Sequence, residues 1–171
     1  MKKRIFFSLV AVLIIFIFVV FYRGLNKSNF YEPKSKIKNI PEFSAITFFQ
    51  KQEINSKNIF DKDKFYLVNI WASWCIPCRD EHSILLNLSK NDKMEIIGLN
   101  YKDSLKNAEK FLDELGNPYK KILIDKDGTK AIEWGAFGVP ETFLVFENKI
   151  IKRFIGPLNI KSVKEIKNTI Q

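Results

Sequence analysis

A long apolar run near the start of the chain stands apart from the shorter apolar patterns that follow it. Residues 5–22 contain no charged side chain. As a helix rising about 1.5 Å per residue they would extend about 27 Å, which is close to the hydrocarbon thickness of a bilayer. A cleaved signal peptide usually has a shorter apolar region that ends in small residues, and residues 21–26 offer no such cleavage site. The run therefore predicts an uncleaved transmembrane anchor.

Polar segments flank this run on both sides. Residues 23–40 are basic and aperiodic, and Pro33 limits helix formation there, so this segment is predicted to be a linker. Basic residues are nearly balanced across the run, so charge alone does not orient it. A short stub before a first helix commonly stays in the cytoplasm. We therefore expect residues 1–4 to be a cytoplasmic stub and residues 41–171 to form the folded domain.

Within the domain, short apolar runs alternate with segments in which apolar residues recur every three or four positions. The first pattern is typical of strands buried on both faces of a sheet, and the second of amphipathic helices. Their order predicts an α/β fold with a mixed central sheet flanked by helices. The predicted strands are 65–71, 94–100, 121–125, 142–146 and 150–155, and the predicted helices run from near Cys78 to near Lys90 and over 105–115, 129–134 and 160–170.

Composition and charge fit one domain with an anchor. The 171 residues are 46% hydrophobic, and the formal net charge is +9. Residues 1–22 have three basic side chains, residues 23–40 have five against one acidic, and the rest of the chain has 20 against 18. The domain is thus nearly neutral and lacks the basic stripe of a nucleic-acid binder.

The two cysteines of the chain follow a predicted buried strand and begin a predicted helix, in the sequence Trp74-Cys75-Ile76-Pro77-Cys78. Free backbone N–H groups and the helix dipole stabilise a thiolate at such a position. The second cysteine is near enough to attack a mixed disulfide formed by the first. The spacing predicts Cys75 as the nucleophile and Cys78 as the resolving thiol.

A structural or metal-binding role for this cysteine pair fits the sequence less well. A structural disulfide across so small a loop would stabilise the fold little. A zinc or copper site could add His82, the sole histidine, but would lack a natural fourth ligand. We therefore expect no metal and no cofactor other than the redox-active cysteine pair. His82 is expected to be an exposed or capped helix residue.

Pro140 stands directly before a predicted strand. Proline lacks the N–H that a strand interior needs, so it marks a strand start, an edge or a turn. A cis Val139–Pro140 bond would suit this position, but the sequence does not determine the isomer.

Together these residues resemble the DsbE/CcmG family of membrane-anchored, thioredoxin-like thiol:disulfide oxidoreductases of cytochrome c maturation. The WCxxC motif alone indicates only the thioredoxin superfamily, whereas NYKD, LGNPY and GVPET in this order are more specific. The similar stretches are LVNIWASWCIPCRDEH (67–82), GLNYKD (98–103), ELGNPY (114–119), DKDG (125–128), WGAFGVPETFLV (134–145) and IGPL (155–158).

The resemblance implies a thioredoxin-like fold with an N-terminal extension and a central insert. It also implies reduction of a disulfide in the heme-binding CxxCH segment of apocytochrome c, or in a partner thiol protein. The site would lie in the periplasm, tethered to the bacterial inner membrane, and a membrane dithiol donor of the DsbD or CcdA type would restore the electrons. Anchored reductases of the TlpA or ResA type are an alternative, and a non-catalytic client- or copper-binding module is another.

The resemblance also assigns binding residues. Pro140 takes the place of the family's cis-proline beside the dithiol. The loop carrying Val139 would help to dock an extended substrate, and Trp74 would form part of the docking surface.

Two acidic residues are candidates for proton transfer. Asn69 stands where cytosolic thioredoxins have a buried aspartate, and the compensating acids of the similar family match Glu81 and Glu141. We expect both carboxylates to lie near the dithiol, to raise its thiol pKa by like-charge interaction and to relay its proton. Two solvated surface acids are the alternative.

Overall fold

The computed structural model describes residues 2–26 and 38–170, which belong to two separate units. The first unit is a single helix, α1 (Lys2–Asn26). Its stretch Lys3–Arg23 has a mean hydropathy of 3.1 and no buried residues, so it is a candidate membrane span by length and composition. The predicted anchor lies inside this helix, and most of the predicted linker lies outside the described residues.

The second unit is an eight-stranded sheet with four helices. The strands are β1 (Lys38–Asn39), β2 (Ser44–Thr47), β3 (Glu53–Asn55), β4 (Phe65–Trp71), β5 (Met94–Tyr101), β6 (Lys121–Asp125), β7 (Glu141–Phe146) and β8 (Lys149–Ile155). The helices are α2 (Ile76–Leu88), α3 (Leu105–Leu115), α4 (Thr129–Trp134) and α5 (Ile160–Thr169), and a short 3-10 helix covers Ser56–Asn58. All the strands and helices predicted from periodicity are present.

The strand order is β1-β8-β7-β4-β5-β6-β2-β3. The central strands β4, β5 and β6 run parallel, whereas every other neighbouring pair is antiparallel. The mixed sheet is therefore confirmed. In the β7–β8 hairpin, Glu147 and Asn148 have φ angles of 50° and 60°, as a tight turn that follows the strand twist requires.

Each face of the sheet buries its own apolar cluster. On the α2 face, side chains of α2, α3 and α5 such as Leu85, Phe111 and Ile166 pack against β4 and its neighbours. On the opposite α4 face, Trp134 packs with Phe143 and with the segment before β4. Alternation along each strand decides which face a side chain reaches.

Strands β1 to β3 were not predicted individually. They are two to four residues long and lie at or near the sheet edges, so they carry little periodic signal. They form the N-terminal extension that the resemblance implied. β1 also begins inside the stretch assigned to the linker, because Lys38 and Asn39 pair with Ile150 and Lys149 of β8.

Candidate functional site

The two cysteines are joined in a disulfide where β4 gives way to α2. Cys75 is the N-cap residue of α2, and its Sγ accepts a hydrogen bond from the Cys78 N–H at 3.1 Å. The two Cα atoms are 5.3 Å apart. The sequence prediction of a cysteine pair at a strand-to-helix junction is therefore confirmed.

The disulfide is covered, but its neighbours are not. Cys75 is 4% exposed and Cys78 is 2% exposed, whereas Trp74 is 56% and Ile76 is 74% exposed. The first turn of α2 contains no acidic residue, so no carboxylate there offsets the partial positive charge at the N-terminal end of the helix dipole. The site thus combines a buried reactive pair with an exposed apolar rim.

The Val139–Pro140 peptide bond is cis, which answers the question the sequence left open. Pro140 directly precedes β7, and the first residue of β7 pairs with Ile70 near the end of β4. The proline loop therefore lies at the end of the sheet from which the cysteines follow. Val139 packs against both apolar clusters.

Residues of the NYKD motif accept hydrogen bonds from the segment just before the cysteines. Asp103 accepts hydrogen bonds from the Ser73 N–H at 2.5 Å, from Ser73 Oγ at 2.7 Å and from Asn100 Nδ2 at 3.0 Å. Trp74 Nε1 donates to the Lys102 carbonyl oxygen at 3.1 Å. Reasoning from the sequence gave Asp103 no role, although the NYKD motif marked its position.

Glu81 is 1% exposed on the α2 face. Its Oε1 accepts a hydrogen bond from Asn69 Nδ2 at 2.9 Å, and its Oε2 accepts one from the Leu158 N–H at 2.6 Å. Burial raises the pKa of Glu81 to about 7, and the two hydrogen bonds only partly oppose this rise. The alternative of a solvated surface acid is wrong for Glu81.

Asn69 connects Glu81 to two further polar side chains. Its Nδ2 also donates to Thr142 Oγ1 at 3.0 Å, and its Oδ1 accepts from the Tyr119 hydroxyl at 2.9 Å. The Tyr119 ring stacks on Trp71 with centroids 5.4 Å apart. A Cβ on Gly98 would lie 2.8 Å from Trp71 Nε1, so glycine lets this aromatic pair lie close to the sheet.

Glu141 is buried in a different environment from Glu81. Its Oε1 accepts from the N–H groups of Phe137 at 2.6 Å and Gly138 at 3.1 Å, and its Oε2 pairs with Arg153 Nε at 2.6 Å. Its strand position places it on the α4 face, opposite Glu81. Since Glu141 is 2% exposed, the alternative of a solvated surface acid is wrong for Glu141 too, and the expectation that both carboxylates lie near the dithiol stays a prediction.

His82 is buried rather than exposed. Its Nε2 lies 2.8 Å from the Gly116 carbonyl oxygen, and its ring makes a T-shaped contact with the Phe111 ring. Burial lowers the pKa of His82. Within residues 2–26 and 38–170, no cluster of potential metal ligands is present.

The chain matches the Redoxin family model over residues 36–170. It is 36% identical over 171 residues to the thiol:disulfide interchange protein DsbE of Vibrio cholerae, covering 96% of this chain and 91% of that protein. It is 50% identical over 105 residues to the thiol:disulfide interchange protein CycY of Rhizobium leguminosarum bv. viciae, covering 61% of this chain and 56% of that protein.

Solved structures share the fold at lower identity. A thiol:disulfide interchange protein of the thioredoxin family from Chlorobium tepidum has a TM-score of 0.62 at 19% identity, covering 81% of this chain and 99% of that one. A secreted disulfide oxidoreductase from Mycobacterium tuberculosis, homologous to DsbE of Escherichia coli, has a TM-score of 0.63 at 17% identity, covering 75% and 93%. These similarities show a thioredoxin-like fold.

Proposed function

Because this chain belongs to the Redoxin family, and within it to the DsbE-type thiol:disulfide interchange proteins, we propose that it is a membrane-tethered reductant for cytochrome c maturation. Its general activity is thiol-disulfide oxidoreduction. The observation that carries the proposal is the Cys75–Cys78 disulfide at the start of α2, at the same end of the sheet as the cis-proline loop.

The proposed reaction is a two-step exchange. In the reduced protein, the Cys75 thiolate attacks one sulfur of a substrate disulfide, forms a mixed disulfide and releases the other substrate sulfur as a thiolate. The Cys78 thiolate then attacks Cys75 Sγ and releases the second substrate sulfur. Two electrons pass to the substrate, its two thiolates take up protons, and the Cys75–Cys78 disulfide forms again.

Glu81 is the proposed acid and base of this cycle. It lies three residues after Cys78 on α2, and its pKa of about 7 lets it exchange a proton near neutral pH. It would accept the proton of the Cys78 thiol and return it to a leaving substrate thiolate. For Glu141 we propose a positioning role, because its hydrogen-bond partners belong to the proline loop or to Arg153.

The proposed substrate is the oxidised CxxCH segment of apocytochrome c, or a partner thiol protein that carries the same electrons. Trp74, Val139 and Pro140 would form the docking surface, and the exposed Trp74 and Ile76 side chains support an apolar contact there. A reducing dithiol in the periplasm needs a donor. We propose a membrane protein of the DsbD or CcdA type, which suits a chain anchored by α1.

Mixed-disulfide trapping tests this function. The Cys78→Ala variant of the full chain should capture an oxidised CxxCH peptide of apocytochrome c as a stable adduct on Cys75, detected by mass spectrometry. The Cys75→Ala variant is the matched control and should capture none. Failure of Cys78→Ala to capture the peptide contradicts the substrate assignment, and equal capture of an unrelated disulfide peptide indicates a general reductase.

A further inference from the structure

Four buried polar side chains form a hydrogen-bonded group on the α2 face. Asn69 lies at its centre on β4, between Glu81 of α2, Thr142 of β7 and Tyr119, which precedes β6. All four side chains are buried. Buried polar atoms that lose their partners are costly, so the orientation of each group constrains the others.

In the observed orientation, the Asn69 Nδ2 group donates both of its hydrogens. One goes to Glu81 and one to Thr142, while Oδ1 accepts the hydrogen of the Tyr119 hydroxyl. Glu81 therefore receives one donor on Oε1 and a second, the Leu158 N–H, on Oε2. A carboxylate that only accepts hydrogen bonds matches an ionised Glu81.

For Asn69 to accept a hydrogen from a protonated Glu81, its amide would need the opposite orientation. Asn69 Oδ1 would then accept the new Glu81 hydroxyl and the Thr142 hydroxyl, and Nδ2 would point at Tyr119. The Tyr119 oxygen could accept that bond, but its own hydrogen would lose the one acceptor it has among the described residues. The Tyr119 hydroxyl thus disfavours the amide orientation that would offer a protonated Glu81 an acceptor in Asn69.

We propose that Tyr119 is a positioning residue that, by fixing the Asn69 amide, favours the ionised form of Glu81. One consequence rests on the proposed function, in which Glu81 transfers protons at the dithiol. Tyr119 then sets the pH range in which the dithiol exchanges its proton. Burial, and then the charge of Glu81, raise the pKa of Tyr119 well above 10, so its hydroxyl remains a donor at neutral pH.

The other ionisable groups near Glu81 are engaged elsewhere. His82, next to it on α2, lies against the Gly116 carbonyl oxygen. Glu141 of β7 lies on the opposite face with Arg153. The two cysteines are joined in the oxidised protein, so in that state Tyr119 is the titratable side chain linked to Glu81 through Asn69.

The test uses the full chain with the Tyr119→Phe substitution, which keeps the ring that stacks on Trp71. The Glu81 carboxyl is titrated in the oxidised protein by NMR of 13C-labelled glutamate. We expect its pKa to rise by about one unit, a tenfold change in proton affinity, since one buried hydrogen bond that favours the ionised form is lost. The pH profile of Cys75 alkylation in the reduced protein should shift the same way.

Tyr66→Phe is the matched control. The Tyr66 hydroxyl is also buried but accepts from the Asp61 N–H at 3.0 Å, and its ring lies on the α4 face, so its loss should leave the Glu81 titration unchanged. In the Glu81→Gln background, Tyr119→Phe should no longer shift the alkylation profile.

An unchanged carboxyl titration in Tyr119→Phe, or an equal shift in Tyr66→Phe, overturns the inference. A shifted carboxyl pKa with an unshifted alkylation profile upholds the Tyr119 to Glu81 coupling and overturns the proposed proton-transfer role of Glu81.

Discussion

At the residue scale, Glu81 and His82 make opposite contributions to pH-dependent stability. Burial raises the pKa of Glu81 from 4.5 to about 7. Between these values the folded protein holds a proton that the unfolded chain releases, so the free energy of unfolding falls as pH rises, by about 3 kcal/mol in total. Burial lowers the pKa of His82 below 6.5, so near this pH the unfolded chain binds a proton that the folded protein does not. The free energy of unfolding therefore increases as pH rises toward 6.5.

Replacing Glu81 by Gln should remove the Glu81 part of this dependence and leave the His82 part. We compare the free energies of unfolding of the wild type and the Glu81→Gln variant. The wild-type value minus the variant value should fall by most of ~3 kcal/mol as pH rises from about 4.5 to 7.5. Urea unfolding of the oxidised proteins measures it. Glu133→Gln, at an exposed site on α4, should show a constant difference. A constant difference for Glu81→Gln as well would contradict the raised pKa.

At the scale of elements, Glu141 and Arg153 tie the proline loop to the β7–β8 hairpin. Glu141 bonds two backbone N–H groups of the loop, and the Arg153 guanidinium lies 4.6 Å from the Phe137 ring centroid and 5.5 Å from that of Phe143. The charge of Arg153 is largely buried, so removing its partner leaves it uncompensated. Glu141 thus holds the loop that presents Val139 and Pro140 through two backbone hydrogen bonds, and its other oxygen pairs with Arg153.

Glu141→Gln should loosen this loop without altering proton transfer. We expect the Phe137 and Gly138 amides to exchange with solvent about tenfold faster, since a charge-assisted contact is lost, while the pH profile of Cys75 alkylation stays unchanged. Hydrogen exchange by NMR and alkylation kinetics measure the two effects. Glu147→Gln, in the exposed hairpin turn, should alter neither. A shifted pH profile in Glu141→Gln would support the proton relay expected from the sequence.

At the scale of the whole molecule, the helix and the domain are separate units. Both apolar clusters draw only on residues of the second unit, so the domain core does not include α1. The apolar side chains of α1 are exposed, and α1 is a candidate membrane span by length and composition, so we expect a bilayer to surround it.

Removal of residues 1–34 should therefore separate attachment from chemistry. We expect the shortened chain to remain in solution without detergent, to unfold at the same urea concentration as the full chain and to reduce insulin at the same rate. The full chain should float with lipid vesicles in a density gradient, and the shortened chain should not. Loss of cooperative unfolding on truncation would show that α1 supports the domain.

Sequence motifs predicted where many residues of this site lie along the chain, but not which hydrogen-bond partners they have. The spacing of Cys75 and Cys78 at a strand-to-helix junction was readable because both signals are local. Short edge strands such as β1 carried no periodic pattern. The NYKD and LGNPY motifs marked Asp103 and Tyr119, yet nothing local indicated which partners they bind.

The sequence by itself determined the anchor-like run, the order of the central strands and helices, and the position of the cysteine pair. Only the tertiary structure decided that Glu81 and Glu141 lie on opposite faces, that the Val139–Pro140 bond is cis, and that Tyr119 reaches an amide 50 positions earlier in the chain. The physical reason is range: periodicity reflects contacts between near neighbours in the chain, whereas burial and hydrogen-bond partners depend on strand pairing and packing between distant segments.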